Sequence, residues 1–463
     1  MESGKSGGTV ECLGMIFPSE DARRDHFLNL LAEKLKDPAF RAQEGFPIGS
    51  DDAILELSDP PYYTACPNPF VETFIRHFGN VEVSDTEYRR EPFASDVNEG
   101  KNDPIYNAHS YHTKVPPRAI VRYLLNFTSP GDLVFDGFCG TGMTAVAAQL
   151  CGDRSVIEAL GYRVEPDGRI LTPEKADGRT IWREFSKLGP RRAIINDLSP
   201  AATFISYNYN RMQRPSYFDE TVRPILKAAE KEYSWMYSTL HNPTDEQILG
   251  AVSLIRSSES PKIDSVGLCG RINYIVWSDV FSCPECAGAV VYWDVAVDKE
   301  NGKIFDQFKC PHCSLDLGKS DLEARTTTIF DPETNAEAHQ KVQIPAYIVY
   351  SVGSKRFEKS ADDADIAMAE KIDSMALHHW FPAFPLKAGD KTGEPLRVGI
   401  THTHHFYTRR SLSVLAFYRS HGLESWAPFS ALTPRATKMH RIAASRIGGE
   451  KKGEGGATVG VIN

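Results

Sequence analysis

Several groups of residues have types and spacings that could do chemistry. Asp59-Pro60-Pro61-Tyr62 sets a carboxylate beside a carbonyl held by two prolines in series. Each proline fixes its own φ, and Pro61 also pushes Pro60 into the extended region. A carboxylate, a fixed carbonyl and a nearby aromatic face suit an exocyclic amine, with two acceptors for its two hydrogens and a ring to stack its base. A polar turn with a packed tyrosine reads the same way. Phe135-Asp136-Gly137-Phe138-Cys139-Gly140-Thr141-Gly142-Met143-Thr144 is a strand feeding a glycine turn, which lets backbone approach a ligand before a helix begins. A generic strand–helix turn with glycines at positive φ is the alternative. Ala145 stands where G-x-G-x-x-G has its last glycine, which the degenerate form tolerates, and Met143 in place of lysine excludes a Walker loop.

Cys283-Pro284-Glu285-Cys286 and Cys310-Pro311-His312-Cys313 are two C-x-x-C knuckles. Together they read as a zinc ribbon with a closed tetrahedral four-cysteine site, since a redox pair would need only one knuckle. His402-Thr403-His404-His405 and His378-His379 carry metal-ligand types. No carboxylate stands near them at helical spacing, as H-E-x-x-H would require, so the sequence assigns them no metal. Arg409, Arg410, Arg435, Lys438 and Arg441, followed by Arg446, Lys451 and Lys452, form a basic region. It reads either as a phosphate-contacting patch or as a solvated helical face.

The elements that must position these groups alternate strand and helix, which predicts an α/β fold. Residues 20–35 read as an amphipathic helix with Phe27, Leu28, Leu30 and Leu31 on its apolar side. The apolar run 53–57 reads as a short buried strand emptying into Asp59. Residues 63–110 read mostly as loop. A helix is expected over 119–126, a strand over 132–136, a small-residue helix over 143–150 and a second buried strand over 193–195. Between them, 151–190 is a polar insertion with a hairpin turn at Glu165-Pro166-Asp167-Gly168. A long helix is expected over 222–240, a ribbon hairpin from 290–297 and 303–308, a strand over 346–352 and a helix over 411–419. The division is 1–215 for the core, 216–276 for a helical insertion, 277–320 for the ribbon and 321–463 for a mixed α/β C-terminal region.

Composition bounds the rest. The 463 residues are 41% hydrophobic and 24% charged, enough apolar material to rule out wholesale disorder. A net charge of −9 means that nucleic-acid contact must come from local basic patches. Nine cysteines and no signal-peptide pattern point to a reducing cytoplasm, where spaced cysteines mean metal.

Asp59 to Tyr62 and the glycine turn together resemble the amino-directed DNA methyltransferases, which make N6-methyladenine or N4-methylcytosine from S-adenosylmethionine. His112-Thr113-Lys114-Val115-Pro116-Pro117 resembles the family's H-P-T-x-K-P cofactor motif, with Thr113 where proline is usual. Asp197 matches its ribose-binding acid. The resemblance covers roughly 55–200. Within the family, 59–70, 111–152 and 196–205 look like a group of large bacterial and archaeal methylases with a built-in cysteine module. It implies a Rossmann-like core with permuted motif order, in which Asp59, Pro60, Pro61 and Tyr62 are catalytic. His112, Thr113, Lys114, Asp136, Phe138, Gly140, Gly142, Thr144 and Asp197 would hold the cofactor.

The implied reaction is direct methyl transfer from sulfonium to the amine of a flipped base, adenine N6 favoured because DPPY is its commoner form. Cys66 and Cys139 are then bystanders. Restriction–modification or other phage defence is the setting such enzymes imply. An RNA amino-methyltransferase and a non-catalytic DNA-binding subunit remain as alternatives. Residues 63–110 are too few and too polar for the strands that permuted order demands, so these are expected from the C-terminal region or from outside the chain, as in a fragment or a split enzyme.

Overall fold

The computed structural model describes residues 8–79, 90–97, 102–109, 111, 114–176, 178–211, 216–298, 303–422, 436–437, 441–443 and 458–462. His112, Thr113, Arg435, Lys438, Arg446, Lys451 and Lys452 lie outside the described residues. The chain forms two units, Met1–Arg214 and Pro215–Asn463.

In the first unit, Ser19 accepts the Ala22 N–H and starts the helix Glu20–Leu35, the span its periodicity predicts. Arg23, Phe27, Leu31 and Leu35 recur every fourth residue and form its buried stripe. Leu30, expected on that side, is exposed instead. The run expected as a strand at 53–57 is the body of a helix, Asp51–Leu57. Ser50 caps it by accepting the Ala53 N–H, and Asp51 and Asp52 put negative charge at its positive end. These local signals outweigh an apolar run too short for its period to distinguish helix from strand. Ile54 packs with Leu31, Leu35 and Phe40, which fixes where the chain leaves for Asp59. The polar segment beyond also holds two helices, Val71–Phe78 and Pro104–Ala108.

The centre of this unit is a strand–helix–strand arrangement. Strand Leu133–Asp136 runs parallel to Arg192–Ile195, in register from Leu133 opposite Arg192 to Asp136 opposite Ile195. Helices Pro117–Phe127 and Met143–Leu150 bury Val121, Leu125, Ala147 and Ala148 in one core with Ile157 and Ile170. The insertion folds as a three-stranded antiparallel sheet, Arg163–Val164, Arg169–Ala176 and Arg179–Lys187. Its expected turn forms, with Gly168 at φ +85° and Glu165 N–H donating to the Arg169 carbonyl. Helix Pro200–Asn210 follows, capped by Ser199. The architecture is mixed α/β. Among the described residues of this unit, parallel pairing is confined to these two strands.

In the second unit the long strand Cys269–Ser282 is the spine of an eight-stranded sheet. Gln343–Val352 pairs along it, and Lys355–Ser360 pairs with Gln343–Val352 in turn. Helices Arg223–Tyr233, Asp245–Ser257, Asp363–Asp373 and Arg409–Ser420 contribute to a separate core around Met236, Leu240, Ile255 and Met368. The single helix expected over 222–240 ends at Tyr233, and Ser238–Leu240 is a strand paired with 269–271. Thr239 is buried there and donates its hydroxyl to Asp365 at 2.6 Å, a partner no local pattern announces. The range expected as a helical insertion therefore also supplies sheet. In the cysteine module, 290–297 does not form one hairpin arm: Tyr292–Ala296 is a short helix, with the Trp293 ring fully buried.

Candidate active site

Asp59 and Tyr63 exchange backbone hydrogen bonds, N–H to O 2.9 and 3.0 Å, so Pro60, Pro61 and Tyr62 form a tight loop between them. The Pro60–Pro61 peptide is cis. Ser58 fixes the base of this loop, donating to the Ile54 carbonyl at 2.6 Å and accepting the Ala65 N–H at 2.9 Å. Asn68 donates to the Pro61 carbonyl at 2.9 Å.

The sequence reading missed the loop's most important neighbour. Arg23, from the buried stripe of the first helix, is 1% exposed. Its guanidinium donates to the Pro60 carbonyl, to Asp59 Oδ1 at 2.7 Å and to Glu20 at 2.5 Å. The guanidinium carbon also sits 4.9 Å from the Tyr62 ring centroid. The second Asp59 oxygen accepts from the Tyr207 hydroxyl at 2.5 Å. Burial, reinforced by the Asp59 charge, drives the Tyr207 pKa far upward, so the phenol stays a donor. Tyr63 stacks on Tyr207 with centroids 4.7 Å apart and planes 15° apart. Burial pushes its own hydroxyl up to about 12. Tyr62 remains half exposed.

The glycine turn lies at the carboxyl ends of the parallel strands. Gly140 has φ +53° and Gly142 has φ +74°, conformations that glycine adopts without strain. A Cβ on Gly142 would stand 2.7 Å from Ser206 Cβ, so helix Pro200–Asn210 approaches too closely for any other residue. Asp136 anchors the turn from beneath, accepting Phe138 N–H at 3.1 Å and the Thr144 hydroxyl at 2.6 Å. Asp197 accepts Gly140 N–H on one oxygen and Ser199 N–H on the other, both at 2.9 Å. Phe138 is largely exposed, and the Thr141 hydroxyl is buried without a partner among the described residues.

Helix Pro200–Asn210 unites the two motifs. Ser206 donates to the Gly140 carbonyl at 2.8 Å, and the next residue, Tyr207, donates to Asp59. Two segments far apart in sequence are thus held through consecutive residues of one helix. Lys114 is turned inward, donating to the carbonyls of Tyr106 and His109 and lying 4.3 Å from the Tyr106 ring centroid. Burial raises Cys139 and lifts Cys66 to about 11, so both are thiols rather than nucleophilic thiolates at neutral pH.

In the second unit the four knuckle cysteines converge. Cys283 and Cys313 sulfurs are 3.7 Å apart, Cys286 and Cys310 sulfurs 3.8 Å, and all four lie within 4.8 Å of one another. With Zn–S bonds of about 2.3 Å, the edge of a tetrahedral site is about 3.8 Å, so the cluster is compatible with zinc. The knuckles share a backbone pattern: Ala287 and Ser314, each just after the second cysteine, have φ +55° and +63°. Cys283 and Cys310 carbonyls accept their N–H groups at 3.0 Å.

Two of the histidines that have no carboxylate at helical spacing, His404 and His405, meet one from elsewhere in the fold. Asp331, ending strand Thr326–Asp331, meets the Nε2 atoms of His404 and His405. All three side chains are buried. Burial lowers both imidazole pKa values, against the pull of Asp331. Burial would raise Asp331, but hydrogen bonds from Thr334 and His405 hold its carboxyl below the usual range. The expected phosphate contacts fare differently. Arg410 is buried against the Tyr237 ring at 5.6 Å, which withdraws it from the surface a phosphate would approach, and Arg409 donates through Nε to the Met375 carbonyl at 2.5 Å. Of the remaining three, only Arg441 is described, in the strand Arg441–Ala443.

No curated protein and no solved structure matches the chain. No helix among the described residues is long and apolar enough to cross a membrane. Residues 54–166, the stretch that holds the Asp59 loop and the glycine turn, match the family model for N6/N4 DNA methylases, so this stretch is similar to the amino-directed DNA methyltransferases.

Proposed function

We propose that the chain methylates the exocyclic amine of a base flipped out of DNA, adenine N6 first, with the first unit as its methyltransferase core. The observation that carries this reading is what Arg23 does. One planar, amine-bearing group donates to both Asp59 and the Pro60 carbonyl while lying against the Tyr62 ring. An aminopurine would use the same two acceptors and the same ring, and it would replace the guanidinium there. Tyr207 keeps the other Asp59 oxygen and so orients the carboxylate during that exchange. Holding the amine by both hydrogens directs its nitrogen lone pair, so the chain contributes by positioning and electrostatics.

S-adenosylmethionine, when bound, supplies the methyl group on a sulfonium. The residues present fit such a cofactor. Each Asp197 oxygen accepts one backbone N–H and keeps capacity for a ribose hydroxyl. The glycines leave the turn's backbone open to close approach, and Phe138 offers an uncovered aromatic face beside it. His112, Thr113 and Lys114 are assigned to the same task from the motif alone. In the second unit a zinc ion on Cys283, Cys286, Cys310 and Cys313 staples the module, while Arg435, Lys438 and Arg441 are the basic residues left for phosphate contact.

A second reading, that another polypeptide completes the core, has its own observation. Among the described residues the parallel sheet has two strands, and Phe135 within it is 72% exposed. Such a face is ordinarily covered by further elements.

The test is to incubate the purified chain with labelled S-adenosylmethionine and unmethylated genomic DNA, and with RNA in parallel. Nucleosides are then identified by mass spectrometry. N6-methyladenine from DNA, absent with Asp59→Asn, supports the first reading. Cofactor binding without any methylated product would overturn it in favour of the second.

A further inference from the structure

Asp331, His404 and His405 meet in the interior of the second unit, at 5%, 8% and 6% exposure. Strand Thr326–Asp331 brings the carboxylate, and the short turn Thr403–Phe406 brings both imidazoles. Both Nε2 atoms stand 3.0 Å from the same oxygen, Asp331 Oδ2. That oxygen also accepts the Thr334 hydroxyl at 2.8 Å, whereas among the described residues Oδ1 accepts only the Glu333 N–H at 3.0 Å. Donors that served only to satisfy the carboxylate could have spread over both oxygens. Here they crowd one point. Among the described residues, no lysine or arginine lies within ion-pair distance of this buried carboxylate.

We propose that Asp331, His404 and His405 form a second metal site, distinct from the cysteine cluster, for a divalent first-row transition ion. Two imidazoles and one carboxylate are the donor set of three-ligand zinc sites and of non-haem iron(II) sites, both of which keep positions open. The spacing fits. With bonds of about 2.0–2.1 Å, donor atoms of a tetrahedral site are about 3.4 Å apart, so insertion asks the two Nε2–Oδ2 distances to open by a few tenths of an ångström.

The surroundings also fit. A ligating imidazole needs its Nε2 lone pair, with the hydrogen on Nδ1 given to a neighbour. The Thr401 hydroxyl lies 3.3 Å from His405 Nδ1 and can accept that hydrogen; the Thr401 N–H donates to the same Nδ1 at 3.3 Å in the metal-free arrangement, so ligation asks His405 to change tautomer and give up that bond. His404 Nδ1 has no partner among the described residues, so no hydrogen bond there fixes the tautomer against ligation. A cleft of about 450 Å³, lined by Glu333, His379, Trp380 and Phe381 among others, opens beside the cluster. Phe381 is common to both, its ring 5.7 Å from that of His404.

The experiment titrates cobalt(II) into the metal-stripped full-length chain and follows the visible spectrum, with metal content of the untreated protein measured alongside. Thiolate ligation gives intense charge-transfer absorption, whereas an imidazole–carboxylate site gives only weak ligand-field bands. Two equivalents are expected, one with each signature. His404→Gln should remove the second alone, and Cys283→Ser should remove the thiolate signature alone. Asp331→Asn repeats the first loss with nearly unchanged shape, in case His404→Gln does not fold. A single equivalent with thiolate signature only, or a second equivalent that survives both His404→Gln and Asp331→Asn, would overturn the site. Metal analysis of the untreated protein then separates zinc from iron.

Discussion

Asp59 and Asp331 are both withdrawn from solvent, and both collect donors from distant parts of the chain, yet their counter-charges differ. Asp59 has a permanent cation in Arg23, whose own side chain is 1% exposed, plus the Tyr207 hydroxyl. Asp331 has two imidazoles that burial keeps neutral, a threonine hydroxyl and a backbone N–H. A carboxylate held by neutral donors retains its negative charge in the interior, where an unpaired charge is costly. The first carboxylate is therefore complete until something displaces Arg23, and the second is complete only with a cation added. The same residue type serves in one place as a seat for an amine and in the other as a seat for a metal.

The largest effect expected concerns the first seat. Asp59→Asn keeps an acceptor for Arg23 and the shape of the loop but removes the charge that orients an amine. Methyl transfer should fall by about 100- to 1000-fold, the scale of losing one electrostatic contact to a reacting centre. The fold should weaken too, because Arg23 at 1% exposure keeps only Glu20 as a counter-charge, so transfer is read per folded molecule. Activity within a few-fold of the parent would remove Asp59 from the chemistry and the comparison with it.

Arg23→Met asks whether the pairing is energetic as well as geometric. It strips Asp59 of its buried cation, leaving Arg24 at 4.0 Å, and the Pro60 carbonyl of its donor, and should cost about 3 kcal/mol, the lower end for breaking a buried pair, because Asp59 keeps 14% exposure. Denaturant unfolding would show it. Combined with Asp59→Asn the cost should shrink, since no charge is then left alone; additive losses would deny the coupling.

At Asp331 the expected effect depends on metal. Zinc at a hundredfold excess over its dissociation constant should stabilise the parent by about 2.7 kcal/mol through this site. The Cys283→Ser background isolates it from the cysteine cluster. Asp331→Asn in that background should be indifferent to zinc. Stabilisation that persists would mean that the ion binds elsewhere.

How much of this was legible in the sequence follows from how far each signal reaches. Helix Glu20–Leu35 was readable because its cap and its period lie in the same residues. The glycine turn was readable because strand, turn and helix are contiguous. The cysteine knuckles were readable because each is a closed local turn. Helix Asp51–Leu57 was misread because seven residues give too little period, although Ser50 and two following acids were there to be weighed. What made the sites was not local. Arg23 lies 36 residues before Asp59, Tyr207 lies 148 after it, and Asp331 lies 73 before His404. A buried arginine on a helix stripe is a signal that something must neutralise it, and Arg23 breaking an otherwise apolar stripe could have prompted that question. Nothing in the sequence names its partner. The search for a carboxylate near His404 looked along a helix, whereas the fold delivers one from a strand end.

The smallest effect, and the one that best isolates geometry from charge, is at Tyr207. Tyr207→Phe keeps the stack on Tyr63 and leaves the ion pair intact, removing only the hydroxyl that holds the second Asp59 oxygen. A hydrogen bond to a charged group contributes about 1.5–3 kcal/mol. The stability loss should fall at the bottom of that range, because the freed oxygen is only part buried. The effect on transfer should appear in kcat more than in KM. Without Tyr207 the carboxylate can rotate about its last torsion, so fewer of the bound amines are held with the lone pair aligned. Asp59→Asn should then mask Tyr207→Phe, since an uncharged side chain has little left to orient. If the two losses instead multiply, Tyr207 acts on the substrate through some route other than Asp59.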